Sequence, residues 1–241
     1  MALRSLLDRP LETSIYVSGE YLRKNPDWHV DESPWKAKQL ATFLERNKLA
    51  PTTVCDIGCG AGEVLAQLQQ HLPSCEFTGY EISPQAFRMC QQRVRHKLTF
   101  KLADIRDEHA YFDLALLLDV IEHLEDYFTF LREIMRKARS FIFHVPLDLS
   151  VQTVARSYGL LKRRALHDHL HYFTKETALR TLVDTGYDIR DYVYTPRSNE
   201  MGTEVIQKLL KFPRAALYSI HKDIAVRFLG GYSLLVLASA K

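Results

Sequence analysis

The feature that most constrains this chain is one short run, Val54-Cys55-Asp56-Ile57-Gly58-Cys59-Gly60-Ala61-Gly62-Glu63. An acid closes an apolar strand, three glycines at spacing two form a turn, and a helix begins. Glycine permits a tight turn and a close backbone approach to a ligand, and the first helical turn leaves N–H groups unpaired. Such a turn suits an open sheet with crossover helices, where ligands bind at the carboxyl ends of the strands. The flanking sequence keeps the same rhythm. Residues 53–57, 76–81, 98–102, 112–118 and 141–145 read as strands, and 63–71, 84–94 and 127–137 as the helices between them. The fourth strand is apolar almost throughout, as a central parallel strand covered on both faces must be. The fold class expected is therefore α/β, a doubly wound and mostly parallel sheet.

The remaining segments frame that unit. A helix opening at Glu32-Ser33-Pro34 and ending before Pro51 is read as part of an N-terminal helical cap over residues 1–50. Residues 147–172 break the strand–helix rhythm and carry Arg156, Lys162, Arg163, Arg164, His167, His169 and His171, so they read as a lid or insertion. Thr174 opens a further helix, 187–194 forms a strand, 204–227 is amphipathic, and 232–238 is a last strand at an edge hairpin. Without repeats or a linker, all 241 residues are read as a single domain.

Composition excludes several classes of protein. Thirty-two basic against twenty-nine acidic residues leave +3, which is not the charge of a polybasic nucleic-acid binder. No apolar run approaches the roughly 20 residues of a membrane span. Arg4, Asp8 and Arg9 interrupt what would have to be an apolar export signal, so a cytoplasmic location is expected. Cys55, Cys59, Cys75 and Cys90 contain no CxxC pair and are read as free thiols.

The turn becomes more specific when the acids are counted. Asp56, Glu81 and Asp104 recur at strand ends, 25 and 23 residues apart. An acid after the second strand is placed to accept both hydroxyls of a ribose, so the ligand contains a nucleoside. Asp56 sits two residues before the first glycine, where a pyrophosphate would be repelled and a cationic ligand attracted. That spacing disfavours a nicotinamide-dependent oxidoreductase.

With Asp56-Ile-Gly-Cys-Gly-Ala-Gly62, Glu81, Ala103-Asp104-Ile105 and the run from Phe112 to Leu124, the sequence resembles the class I S-adenosylmethionine-dependent methyltransferases over about residues 50 to 194. The resemblance is closest to the broad group that includes ubiquinone-biosynthesis O-methyltransferases. It implies a seven-stranded sheet with an antiparallel C-terminal strand and S-adenosylmethionine as cofactor. Asp56, Gly58, Cys59, Gly60 and Gly62 would hold the methionine portion, Glu81 the ribose, and Ile82 the adenine face. Asp104, with the backbone of Ala103 and Ile105, would meet the adenine amino group, and Leu118 and Asp119 would line the methionine end.

Because a sulfonium already activates its methyl group, positioning dominates the chemistry. The acceptor expected is a small molecule methylated at oxygen or nitrogen, and His123 is the candidate catalytic base. Asp119-Val-Ile-Glu122-His123 with His167-Asp168-His169 also resembles the metal-binding pattern of small-RNA 2′-O-methyltransferases. A metal-assisted RNA ribose methyltransferase and a non-catalytic cofactor-binding module are therefore the alternatives. The motif also occurs in metal-free relatives, so no metal is assigned. Tyr16, the segment from Asn25 to Val30 and Trp35 are read either as an aromatic lid or as packing. Lys208, Lys211, Arg214, Lys222 and Arg227 are read as a solvated face.

Overall fold

A computed structural model describes residues 15–156, 158–196 and 205–241, and the side chains of all of these except residues 17 and 205–211. Residues 1–14 of the expected cap, and the side chains of Lys208 and Lys211, thus lie outside the described residues. The strands are β1 (Thr53–Ile57), β2 (Glu76–Glu81), β3 (Leu98–Leu102), β4 (Phe112–Leu118), β5 (Ala138–Pro146), β6 (Tyr187–Thr195) and β7 (Ser233–Ala240). They form one seven-stranded sheet in the order β3-β2-β1-β4-β5-β7-β6. Pairings are parallel from β3 through β5, and β7 runs antiparallel to both of its neighbours.

The helices are α1 (Ile15–Ser18), α2 (Glu20–Lys24), α3 (Ser33–Arg46), α4 (Glu63–His71), α5 (Pro84–Cys90), α6 (Tyr127–Ile134), α7 (Val151–Ala155), α8 (Gly159–His167), α9 (Lys175–Asp184), α10 (Val205–Ile220) and α11 (Lys222–Leu229). Alternation of side chains along each strand divides the core between the two faces. Leu114, Leu116 and Leu118 of β4 join Val54 and the α3 residues Leu40, Phe43 and Leu44 on one face. Ala115 and Leu117 join Cys55, Ile57 and Leu131 on the other. Asp113, the one acid in β4, accepts from Thr52 N at 2.8 Å, Thr52 Oγ1 at 2.6 Å and Thr53 N at 3.1 Å. That ties the start of β1 to its neighbour and explains a charge inside an apolar strand.

Several boundaries differ from the sequence reading. The last strand is not at the edge: β7 inserts between β5 and β6, its side chains at 233–238 buried, and β6 is the edge. A fully apolar strand needs neighbours on both sides, whereas β6 alternates and carries a bulge between Ile189 and Asp191. The helices after Ser83 and Asp126 tighten into 3₁₀ turns at 91–93 and 135–137, a common ending for a last turn. The amphipathic C-terminal stretch is two helices, because His221 is extended and its ring accepts from Ile224 N as an N-cap. Residues 147–172 contain the short helices α7 and α8.

Candidate functional site

Strand order reverses between β1 and β4, and the carboxyl ends of those strands open a cavity there. On one side stands the glycine turn. Gly58 and Gly60 have φ of +75° and +56°, the left-handed region that favours glycine. Gly58 N and Cys59 N donate to Tyr80 O at 2.9 and 3.0 Å, which fastens the turn to β2. Glu81 completes the attachment: Oε2 accepts from Gly60 N at 2.8 Å and Oε1 from Ser83 N at 2.8 Å. Each oxygen keeps a second lone pair, so the carboxylate can brace the turn and still accept ribose hydroxyls.

Asp56, Gly58, Cys59, Gly60, Glu81, Ile82, Leu118, Asp119 and His123 all line this cavity. Four others do not. Gly62 turns toward the core, where a Cβ would stand 2.5 Å from Phe100, so its glycine serves helix–sheet packing. Asp104 is bound to Arg106, accepting from Nη2 at 2.8 Å and from the backbone N at 2.9 Å, and Ala103 and Ile105 stand beside it outside the lining. Asp56 is 2% exposed and its Oδ1 has no partner. Burial pushes its pKa up to about 7, with Lys36 opposing the rise and Glu81 adding to it.

Asp119 has φ of +56° at the end of β4, where its carboxylate meets an ammonium and an imidazole. Lys36 Nζ lies 2.7 Å from Oδ2 and His144 Nδ1 2.6 Å from Oδ1. Those partners outweigh burial and hold its pKa well below the usual carboxylate range. Thr195 Oγ1 meets the other His144 nitrogen at 3.0 Å, so α3, β4, β5 and β6 are joined by one polar chain. No sequence signal pointed to Lys36 or His144, since a lysine on an amphipathic helix reads as solvent-facing and a histidine in a strand as packing.

The opposite end of the cavity is rich in imidazole. The Glu122 carbonyl accepts from Leu170 N at 2.7 Å and His171 N at 3.1 Å, and this pins the segment after α8 against the turn after β4. His123 and His169 are thereby brought to a ring separation of 5.0 Å. His123 Nδ1 lies 3.1 Å from Asp168 O, which assigns its proton to Nδ1 and its lone pair to Nε2. Burial, with His169 adding to it, pushes the His123 pKa down to about 3, so the ring is neutral near pH 7. His169 Nδ1 lies 2.6 Å from Asp148 Oδ2, and Arg163 Nη1 3.0 Å from Asp148 Oδ1. Asp148 and Tyr21, like Lys36 and His144, were not singled out from the sequence.

The N-terminal segment covers the opening. Tyr16, Tyr21, Trp28 and His29 line the cavity, and the Trp28 ring lies where a Cβ on Gly60 would come within 2.8 Å of it. Asn25 Nδ2 donates to Leu166 O at 3.2 Å, joining this segment to α8. Tyr16 and Trp28, read either as a lid or as packing, thus line the cavity, whereas Trp35 is packed beside His144. Among the described residues no helix is long and apolar enough to cross a membrane.

Residues 30–192 match a family model described as a methyltransferase domain. Ajmaline N-methyltransferase of Rauvolfia serpentina is 31% identical over 124 residues, 46% of this chain and 42% of that protein. (S)-coclaurine N-methyltransferase of Papaver somniferum is 26% identical over 140 residues, 54% of this chain and 40% of that protein. The chain thus spans about two-fifths of the length of the curated relatives it matches. In fold it is similar to the plantazolicin methyltransferase BpumL in complex with a monoazolic desmethylPZN analogue and S-adenosylhomocysteine, at TM-score 0.62 and 16% identity over 100% of this chain and 98% of that one. It is also similar to the N-methyltransferase NodS of Bradyrhizobium japonicum in complex with S-adenosylhomocysteine, at TM-score 0.55 and 18% identity over 88% and 91%.

Proposed function

Because the chain belongs to the methyltransferase-domain family, whose model spans residues 30–192, we propose that it transfers a methyl group from S-adenosylmethionine to a small molecule at oxygen or nitrogen. The observation that carries this reading is the polarity of one cavity: two buried carboxylates on a glycine turn at one end, neutral imidazole at the other. The unpartnered Asp56 Oδ1 fits an ammonium group, and Glu81 has lone pairs left for a ribose diol. Two nearby carboxylates also favour a cationic ligand electrostatically. Bound there, the cofactor supplies an activated methyl group, and the chain has mainly to orient a nucleophile in line with it.

His123 and His169 stand at the acceptor end, where an Nε2 lone pair can accept from an O–H or N–H and so direct the nucleophile. His123, pushed down to about 3, acts as a neutral hydrogen-bond acceptor and does not keep a proton near pH 7. Trp28, Tyr16 and Tyr21 exclude water from above. Asp104, paired with Arg106, would reach an adenine only if the ligand extends beyond the lined cavity. The four buried free cysteines support a reducing compartment such as the cytoplasm. The N-methyltransferase relatives support a small acceptor over RNA.

The test is calorimetry with S-adenosylmethionine and S-adenosylhomocysteine, followed by methyl transfer from labelled cofactor to a panel of phenols and cyclic amines. Binding of both ligands at one site and labelling of at least one acceptor class are expected. Absence of cofactor binding would refute the assignment, and binding with no transfer to any member of the panel would favour a non-catalytic module.

A further inference from the structure

We propose that Glu122, His123 and His169 form a binding site for one divalent first-row transition cation at the acceptor end of the cavity. Carboxylate oxygen and the two imidazole nitrogens offer ligand atoms all within 4.8 Å of one another. His123 Nε2 and Glu122 Oε1 are 3.9 Å apart. Bonds of about 2.0–2.2 Å bring such ligand atoms to about 3–3.5 Å from each other, so side-chain rotations of about an ångström close the set.

Two independent observations point to a ligand. Glu122 is 0% exposed, and neither carboxylate oxygen has a partner. A buried carboxylate is costly unless paired or on a metal. Secondly, each ring has its Nδ1 engaged away from the cluster, His123 by the Asp168 carbonyl at 3.1 Å and His169 by the Asp148 carboxylate at 2.6 Å. That leaves both Nε2 lone pairs for coordination, the arrangement in which outer partners fix the tautomer of a metal-binding histidine. Arg163 on Asp148 holds the second of these partners in place. Two imidazoles and a carboxylate suit Zn²⁺, Co²⁺ or Mn²⁺ better than Mg²⁺ or Ca²⁺.

The set leaves out two residues of the segments singled out in the sequence. Asp119 is drawn off by Lys36 and His144, and His167, although it lines the cavity, is not in the cluster. Three protein ligands leave coordination positions for an acceptor atom, and a bound cation would supply Lewis acidity there. The inference deepens the methyl-transfer reading, but cation binding does not depend on it.

The test is titration of the dialysed protein with Co²⁺ and Zn²⁺, followed by calorimetry and by visible Co²⁺ absorption, with S-adenosylhomocysteine titrated in parallel. One cation per chain is expected, bound at least about tenfold more weakly by Glu122→Gln and by His169→Gln, and about 10–100-fold more weakly by Asp148→Asn, which acts through His169. His167→Gln is expected to bind as the unaltered protein does. Thermal unfolding with and without Zn²⁺ is a second readout, in which the unaltered protein is stabilised and His169→Gln is not. No stoichiometric binding by folded protein, or binding by Glu122→Gln and His169→Gln as tight as that of the unaltered protein, would overturn the site. Loss of S-adenosylhomocysteine binding alone would count against the methyl-transfer reading and leave the cation site standing.

Discussion

Replacing Glu81 with Ala removes a carboxylate that two backbone amides share, Gly60 N and Ser83 N, each at 2.8 Å. Ser83 is fully buried, so its N–H loses an acceptor that water cannot replace, whereas Gly60 N faces the cavity and can be hydrated. A hydrogen bond to a charged group contributes about 1.5–3 kcal/mol, and leaving a buried donor unpaired costs about 1–3 kcal/mol. The structural part of the loss is therefore about 2.5–6 kcal/mol of unfolding free energy, reduced because the Glu81 carboxyl, whose pKa burial raises, no longer has to be kept ionised. If Glu81 holds the ribose as proposed, losing its acceptors weakens cofactor binding by about 1–3 kcal/mol, or about 5- to 150-fold. Urea unfolding measures the first quantity, and calorimetry with S-adenosylhomocysteine on the folded variant the second. Lowered stability with unchanged affinity would show that Glu81 only braces the turn. No change in either would refute the geometry.

Gly60→Ala puts a Cβ 2.8 Å from the Trp28 ring at a φ of +56°. We expect about 1–2 kcal/mol of backbone cost, a shifted tryptophan emission and weaker cofactor binding; unaltered emission would show that Trp28 does not lie over the turn. Asp56, at about 7 in the folded chain against 3.8 in the reference state, holds its proton longer when folded. Its contribution to stability is therefore complete below about 4 and lost as pH rises through 7. Binding of a cation favours the ionised form, so affinity for the cofactor should rise between pH 6 and 8, and a profile as flat as that of Asp56→Asn would count against the role. Lys36→Met removes the ammonium group from Asp119, which is 25% exposed and keeps the His144 imidazole beside it. We expect a loss of about 1–3 kcal/mol in urea unfolding, and an unchanged midpoint would show the pair to be neutral.

Local pattern was enough for the parallel half of the sheet. A strand that must be covered on both faces is apolar throughout, and a glycine turn followed by an acid two dozen residues on has few other uses, so β1 through β4 and the lining residues Asp56, Gly58, Gly60 and Glu81 were legible. Periodicity says nothing of which neighbour a strand takes, and β7 came to lie inside the sheet only through its pairing with both β5 and β6. Gly62 illustrates the same limit on a single residue: its spacing places it in the turn, but Phe100, 38 positions away in the chain, decides that it faces the core.

What the order of residues determined by itself is the run of parallel strands and the anionic, glycine-floored end of the cavity, where the turn and its acid, Gly60 and Glu81, meet across only 21 positions. Tertiary structure alone decided the other end. Lys36 reaches Asp119 across 83 positions, and His169 reaches His123 across 46, because the Glu122 carbonyl holds the returning segment and Asp148 orients the ring. Charge pairing and lone-pair direction in a buried site depend on distances in space, and no local periodicity encodes a distance between segments so far apart in the chain.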